Sequence, residues 1–167
     1  MKLWPTNQDD KKTGYIIMAF IALFIGALGT RCAQAEESYA QVALGSTVVR
    51  GEAPVISVQL VYPDAGPRDA QVEIGASFIG ESTFNGVHQQ NNFALTAAVV
   101  DGFGPFEIGL GTAYLQNTDS YNGSHVNFKL ILGYKFKKFH VRLEHLSNGG
   151  TVAPNKGRDM LLIYREL

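Results

Sequence analysis

The sequence predicts an all-β fold, an eight-stranded antiparallel transmembrane β-barrel. Three observations support this prediction: an N-terminal leader with the features of an export signal, a remainder made of short β-type segments between turn-forming residues, and an apolar face opposite a charged face on the clearest of those segments. The leader determines where the folded chain begins, and the segments after it determine the architecture.

The first 35 residues have the features of a secretory signal peptide. Lysines precede the apolar run at residues 15–29, and Ala33-Gln34-Ala35 has the small residues of a cleavage site. The run is shorter than the roughly 20 residues that a spanning helix needs, although an uncleaved membrane anchor is the alternative. Cys32 is a poor lipoprotein site because Arg31 precedes it. We therefore expect a signal peptide over 1–35 and an outer-membrane barrel domain over 36–167.

The mature chain of 132 residues has a length that suits one domain. Four of the 14 basic and two of the 15 acidic residues leave with the leader, so the net charge of the mature chain is near −3. This charge gives no electrostatic basis for binding nucleic acid. Cys32, the only cysteine, also leaves with the leader, so stability must come from packing or from a membrane.

Eight segments rich in Val, Ile, Phe and Tyr are predicted as strands, because clusters of Gly, Asn, Asp and Pro separate them. In chain order they are residues 38–50, 55–62, 71–81, 92–100, 106–116, 125–136, 139–145 and 159–166. The connections at 51–54 and 137–138 are tight. The longer, polar connections are at 63–70, 82–91, 117–124 and 146–158. Short turns at one end and long loops at the other are typical of outer-membrane barrels.

The segment at 139–145 has the clearest alternation. One face is apolar until His145 at its end, and the other face carries His140, Arg142 and Glu144. A soluble sandwich would bury the apolar face, whereas a membrane barrel would turn it to lipid and pair the charges inside. In the segment at 106–114, small residues alternate with larger ones, which also suits a barrel wall.

An even number of strands, an export signal and a mature chain without cysteine favour the membrane barrel. Closure at eight strands satisfies every backbone hydrogen-bonding group in lipid. A soluble eight-stranded barrel of the lipocalin kind is the alternative. The C-terminal Leu167 departs from the membrane pattern, because outer-membrane strands commonly end in an aromatic residue.

Residues 142–159, RLEHLSNGGTVAPNKGRD, contain the candidate chemistry. If the seventh strand continues past His145, then His145 and Ser147 share its lipid-facing side. Asp159 opens the next antiparallel strand and can lie opposite His145. A serine becomes a nucleophile when an imidazole takes its proton, and an acid orients that imidazole. The three residues predict an acyl-transfer site on the outside of the barrel.

The residues after the serine supply candidate donors for the negatively charged oxygen of an acyl-transfer intermediate. They are Asn148, the backbone amides of Gly149 and Gly150, and Asn155. The alternative is an ordinary polar loop, because the same residue types form loops and short motifs are loosely tied to function. Polar groups beside lipid are costly, so the outward position of a histidine and an acid favours a functional role.

This segment resembles the active-site segment of the lipid A 3-O-deacylases, enzymes of the Gram-negative outer membrane. That family has H-x-S-N, then P-N-x-G, then an acid two residues after the glycine, and here residues 145–148 are HLSN and residues 154–157 are PNKG. The resemblance implies an eight-stranded barrel with a Ser–His–Glu triad that faces the membrane at the outer leaflet. It also implies removal of the 3-O-linked acyl chain of lipid A without a cofactor.

Carried over from the resemblance, Ser147 is the nucleophile, His145 the base and Asp159 the orienting acid. Asn148, Gly150 and Asn155 would form the oxyanion hole or support it. Asp159 departs from the family, which has Glu here, and its carboxylate reaches about 1.5 Å less. Triads with Asp are common, and the spacing from Ser147 matches the family pattern, so we expect Glu to be tolerated at 159.

The predicted activity is that of a carboxylic ester hydrolase acting on lipid A or lipopolysaccharide among outer-membrane lipids. No metal site is expected, because His88, His125 and His140 lack metal-ligand spacing, and the resemblance implies that no other cofactor is needed. The predicted location is the outer membrane, reached through the cleavable signal peptide, and a homodimer is compatible with the sequence. The alternative function is a small non-catalytic outer-membrane barrel with a structural or binding role.

Overall fold

The structure, a computed structural model, describes residues 37–119 and 122–167. The predicted signal peptide lies outside the described residues. Within them, eight strands close into one antiparallel barrel, which confirms the predicted fold class. No helix in this part of the chain is long and apolar enough to cross a membrane.

The structure has ten strands and one short 3-10 turn in its described residues. The strands are β1 (Tyr39–Thr47), β2 (Pro54–Tyr62), β3 (Gln71–Ile79), β4 (Ser82–Phe84), β5 (Val87–Gln89), β6 (Asn92–Phe103), β7 (Phe106–Leu115), β8 (Val126–Lys135), β9 (His140–Ser147) and β10 (Arg158–Glu166). The 3-10 turn, Pro67–Asp69, lies between β2 and β3. The wall order is β1-β10-β9-β8-β7-β6-β3-β2, so β1 closes on β10.

The small hairpin β4–β5 stands apart from the wall as a separate two-stranded sheet. It lies within residues 82–91, which the sequence indicated as a polar loop. Each of its strands has three residues, and three residues are too few to show a period-two alternation. The hairpin was therefore not predicted.

The wall strands are apolar outside and polar inside. In β2, for example, Ile56, Val58 and Leu60 are exposed, while Ser57 and Gln59 between them are buried. In β9, Leu143 points outward, whereas Arg142 and Glu144 are almost completely buried. A soluble barrel would reverse this pattern, because it would bury its apolar side chains and solvate its charges. The predicted inside-out arrangement is confirmed.

Charged groups inside the barrel are paired. Arg142 donates two hydrogen bonds to Glu73 and two to Glu107, at 2.8–3.0 Å. Lys129 lies 2.9 Å from Glu144 in another buried pair. Burial of an isolated charge costs several kcal/mol, and a partner with good geometry offsets that cost. The paired interior explains how a small barrel can hold so many ionised side chains.

Apolar side chains fill another part of the interior. The cluster contains Ile79, Leu115, Leu146, Met160 and Leu162, each at most 2% exposed. Leu146 and Met160 point inward from positions next to His145 and Asp159, because neighbouring strand residues face opposite sides. The candidate site is thus backed by a packed core.

Successive connections lie at alternate ends of the barrel. We call the end with the β1–β2, β3–β6, β7–β8 and β9–β10 connections the site end, and the opposite end the turn end. The register of Thr47 with Met160 places the end of β1 beside the start of β10, at the site end. The expected separation of tight turns from long loops is wrong for two connections. The short β1–β2 connection lies at the site end, and the longer one at 63–70 lies at the turn end. In an antiparallel barrel, the order of the strands along the chain decides at which end of the barrel each connection lies, whatever the length of the connection.

Candidate active site

The seventh wall strand, β9, runs to Ser147, two residues further than the predicted segment. His145 and Ser147 therefore lie on its outer face at the site end. The antiparallel register pairs His145 with Asp159 of β10, and His145 Nδ1 is 2.8 Å from Asp159 Oδ1. The predicted placement of Asp159 opposite His145 is confirmed, despite the shorter side chain.

The histidine and the acid form an oriented, partly accessible pair. Their side chains are 38% and 21% exposed, respectively. A carboxylate at Nδ1 favours the tautomer with its proton there, which leaves Nε2 able to accept a proton from a hydroxyl. The pair therefore has the arrangement that a general base requires.

A glycine packs against the edge of this imidazole. A Cβ placed on Gly157 would lie 2.6 Å from His145 Cε1 and 3.1 Å from Nε2, and the glycine has a φ of +69°. Real Cβ atoms do not approach so closely, so any larger residue would displace the ring or the loop. The space taken by the His145 ring therefore explains why a residue without a side chain follows Pro154-Asn155-Lys156.

Ser147 is held by the loop that follows it. Its hydroxyl donates to Asn155 Oδ1 at 3.0 Å and accepts from the backbone N–H of Gly149 at 3.1 Å. Ser147 and His145 are both among the described residues, and no hydrogen bond joins their side chains. Catalytic hydrogen bonds are often long or misaligned without substrate and tighten in the complex. For the imidazole to act on it, the hydroxyl must turn from Asn155 towards His145.

The three predicted supporting residues have different positions. Asn155 contacts the serine directly, and its Oδ1 also accepts from the backbone N–H of Asn148 at 3.0 Å. Asn155 Nδ2 has no hydrogen-bond partner within 37–119 and 122–167, so it remains able to donate. The N–H of Gly150 is already used, because it donates to Asn148 Oδ1 at 2.9 Å. Asn148 is buried and braces the loop through a 2.7 Å bond to the carbonyl of Val152.

The β7–β8 connection supports this loop. Asn122 is completely buried and forms an isolated β-bridge with Asn155, and Gly123 N–H donates to the carbonyl of Pro154 at 2.8 Å. Asp119 accepts a hydrogen bond from Arg158, which turns inward beside Asp159. An Asn-Gly pair in a sequence indicates a turn, so sequence analysis did not identify Asn122 as part of the site.

The β1–β2 connection contributes Arg50, which sequence analysis also missed. Arg50 Nη1 lies 3.6 Å from Asp159 Oδ2. The same nitrogen donates to the carbonyls of Lys156 and Gly157, the latter at 3.4 Å. More than a hundred residues separate Arg50 from these partners, and no local pattern marks it. Only closure of β1 on β10 brings it to the site.

These features define a class: an inside-out, eight-stranded barrel of the outer-membrane type, with a serine, a histidine and a carboxylate on its lipid-facing wall. The family model described as "Lipid A 3-O-deacylase (PagL)" matches residues 56–166, more than half of the chain. The chain therefore belongs to the lipid A 3-O-deacylase family, as the sequence resemblance predicted, and is an ester hydrolase of the outer membrane.

One solved structure supports the fold independently. It is described as "Crystal structure of the outer membrane enzyme PagL" and matches with a TM-score of 0.56 and 21% sequence identity. The match covers 78% of this chain and 99% of that one. No curated protein matches this chain.

Proposed function

We propose that the protein removes the 3-O-linked acyl chain of lipid A by a Ser147–His145–Asp159 mechanism at the outer leaflet of the outer membrane. The observation that carries the proposal is the 2.8 Å contact between His145 Nδ1 and Asp159 Oδ1, on the same outer face as Ser147. Lipid A, alone or within lipopolysaccharide, is the proposed substrate. All the residues proposed to act belong to one chain, so the mechanism does not require a homodimer.

In the first half of the reaction, Ser147 Oγ attacks the ester carbonyl carbon and its proton passes to His145 Nε2. The negative charge that develops on the carbonyl oxygen requires preorganised donors, and Asn155 Nδ2 is a candidate, because the Oδ1 of the same amide already contacts Ser147 Oγ at 3.0 Å. The ester C–O bond then breaks, and the imidazolium donates its proton to the departing sugar oxygen, which leaves as a hydroxyl. The acyl group remains on the serine.

In the second half, water attacks the acyl-enzyme. His145 takes a proton from that water, and the imidazolium returns it to Ser147 Oγ as the acyl–oxygen bond breaks. A free 3-hydroxyacyl carboxylic acid is released. Asp159 orients the imidazole and stabilises the imidazolium in both halves.

The surface around the site suits a lipid acyl chain. Phe128 lies opposite Ser147 on β8, and Leu130 lies opposite His145; both are exposed on the outer wall. Leu143 and Leu161 continue this apolar surface away from the site end. An ester at the headgroup boundary would therefore meet the polar residues, while its acyl chain follows the wall.

The position of the turns supports the outer-leaflet placement. Two of the three connections at the turn end, 104–105 and 136–139, are short, and β1 begins and β10 ends at the same end. Short turns of outer-membrane barrels face the periplasm and longer loops face outward. The site end, with the β3–β6, β7–β8 and β9–β10 connections, would then face the cell exterior.

Mass spectrometry of lipid A tests the proposal. Lipopolysaccharide incubated with the purified protein in detergent should lose one 3-hydroxyacyl chain. Ser147→Ala should abolish the loss while the folded barrel keeps its heat-modifiable migration on gels. An unchanged spectrum with correctly folded protein, or full activity of Ser147→Ala, would exclude the mechanism; the first result would favour a non-catalytic barrel.

A further inference from the structure

We infer that Arg50 is a positioning residue for the proposed triad, which holds the second carboxylate oxygen of Asp159. The inference rests on the proposed function. One oxygen of Asp159 accepts from His145 Nδ1 at 2.8 Å, and the other lies 3.6 Å from Arg50 Nη1. The carboxylate thus lies between the imidazole of His145 on β9 and the guanidinium of Arg50 in the β1–β2 connection.

Arg50 comes from a connection that is itself held in place. Its backbone carbonyl accepts from Gln89 Nε2 at 2.8 Å, and Gln89 is buried in the β4–β5 hairpin. Gly51 packs so closely on the same hairpin that a Cβ there would lie 3.1 Å from Ser82 Oγ. The guanidinium therefore projects from an ordered base towards the site.

The same connection also holds the backbone of the acid. Val48 N–H donates to the carbonyl of Asp159 at 2.8 Å, which extends the β1–β10 pairing beyond the end of β1. Two residues later, Arg50 approaches the side chain of Asp159. Val48 and Arg50, both in the β1–β2 connection, thus position the backbone and the carboxylate of the acid, respectively.

Arg50 also links the acid to the loop of the proposed oxyanion donor. Its Nη1 donates to the carbonyls of Lys156 and Gly157, the two residues that follow Asn155. A guanidinium is planar and always charged, and its donors have fixed directions. One rigid group can therefore set the distance between the carboxylate and this loop.

Orientation is the main effect expected of this contact. Arg50 and Asp159 have side chains 33% and 21% exposed, and ion pairs near a surface contribute little to stability. The reaction rate is far more sensitive to orientation than stability is, since a misplacement of about 1 Å in a catalytic group can lower the rate roughly a hundredfold. A short acid has less reach, so its angle towards His145 matters more.

Steady-state kinetics in detergent micelles tests the inference. Arg50→Ala should lower kcat by roughly tenfold to a hundredfold and leave KM nearly unchanged, and Arg50→Lys should recover part of the loss. Lys137→Gln removes one exposed positive charge at the turn end and should match the wild type. A raised KM with unchanged kcat in Arg50→Ala would overturn the inference, because it would indicate that Arg50 binds an anionic group of the substrate.

A double-mutant cycle separates positioning from a general structural effect. If Arg50 acts through the carboxylate of Asp159, then Arg50→Ala should change the rate less than about twofold in the Asp159→Asn background, because coupled residues are not additive. The same fractional loss in both backgrounds would contradict the inference. Heat-modifiable migration verifies that each variant is folded.

A covalent probe keeps this test independent of the lipid A assay. An alkyl phosphonate that esterifies serine nucleophiles should label Ser147, with its leaving group expelled, and Ser147→Ala should remain unlabelled. Arg50→Ala should slow the labelling by about the same factor as kcat. If wild-type protein is labelled but does not deacylate lipid A, the proposed substrate is wrong; if Arg50→Ala is labelled at the wild-type rate, the role of Arg50 is wrong.

Discussion

Gly157→Ala is expected to disable the site without unfolding the barrel. A Cβ at this position would lie 2.6 Å from His145 Cε1 and 3.1 Å from Nε2, whereas carbon atoms in contact are ordinarily about 3.5–4.0 Å apart. Either the imidazole or the loop must therefore move by roughly 1 Å. Nε2 is the nitrogen proposed to take the serine proton, and a displacement of that size can cost about a hundredfold in rate.

A matched variant isolates this collision from backbone strain. Gly157 has a φ of +69° and Gly104, in the β6–β7 turn, has a φ of +62°; an alanine costs roughly 1–3 kcal/mol in such a conformation. A Cβ on Gly104 would meet no atom within 4 Å. Gly104→Ala should therefore introduce the backbone strain without the collision, at the opposite end of the barrel.

The assay is the initial rate of deacylation, followed by mass spectrometry of lipid A, with gel migration as the measure of folding. Gly157→Ala should lose about two orders of magnitude in rate, and Gly104→Ala should deacylate at the wild-type rate. Equal, near-native rates for the two variants would refute the argument, since they would show that the imidazole tolerates the added methyl group or takes no part in the reaction.

Other substitutions test the remaining parts of the structure. Asp159→Asn should lower kcat strongly, by up to about 10⁴ if the loss matches that of a well-studied triad, whereas Asp159→Glu should fall modestly below wild type because the shorter acid already reaches His145 at 2.8 Å. Asn155→Ala should lower kcat by about 10²–10³ in the deacylation assay, with little change in gel migration. Arg142→Gln should destabilise the barrel by about 3–5 kcal/mol in urea unfolding, because it leaves Glu73 buried without its cation and removes the buried cation of Glu107, which keeps Lys135 at 3.3 Å. Leu143→Arg should cost about 2–4 kcal/mol if its position is near the middle of the membrane, measured in the same way.

Local sequence patterns were enough to predict the wall and its two faces. Alternation is a property of neighbouring residues, so the sides on which Arg142 and Leu143 lie follow from the strand period alone. The same parity predicted that His145 and Ser147 share the outer face, and one loop between antiparallel strands brought Asp159 opposite His145. The expectation that Glu would be tolerated at 159 stays untested, although the contact seen here shows that Asp has sufficient reach.

What sequence analysis missed depends on contacts between distant segments. Arg50 reaches the acid because the barrel closes, and Asn122 reaches Asn155 because two connections meet at the site end. Neither residue stands out among its sequence neighbours. The hydrogen bond from Ser147 to Asn155, in place of one to His145, depends on side-chain rotation, which no spacing rule determines.

The filled interior described above determines how a substrate can arrive. Apolar side chains such as Leu146, Met160 and Leu162 occupy the lumen behind the site, so a substrate of the site proposed at the outer leaflet would approach from the side, within that leaflet. Encounters then occur by lateral diffusion in two dimensions, and the rate depends on the mole fraction of substrate among the surrounding lipids. Both products also begin their departure in that plane, so the composition and fluidity of the leaflet would govern turnover as directly as any residue of the site.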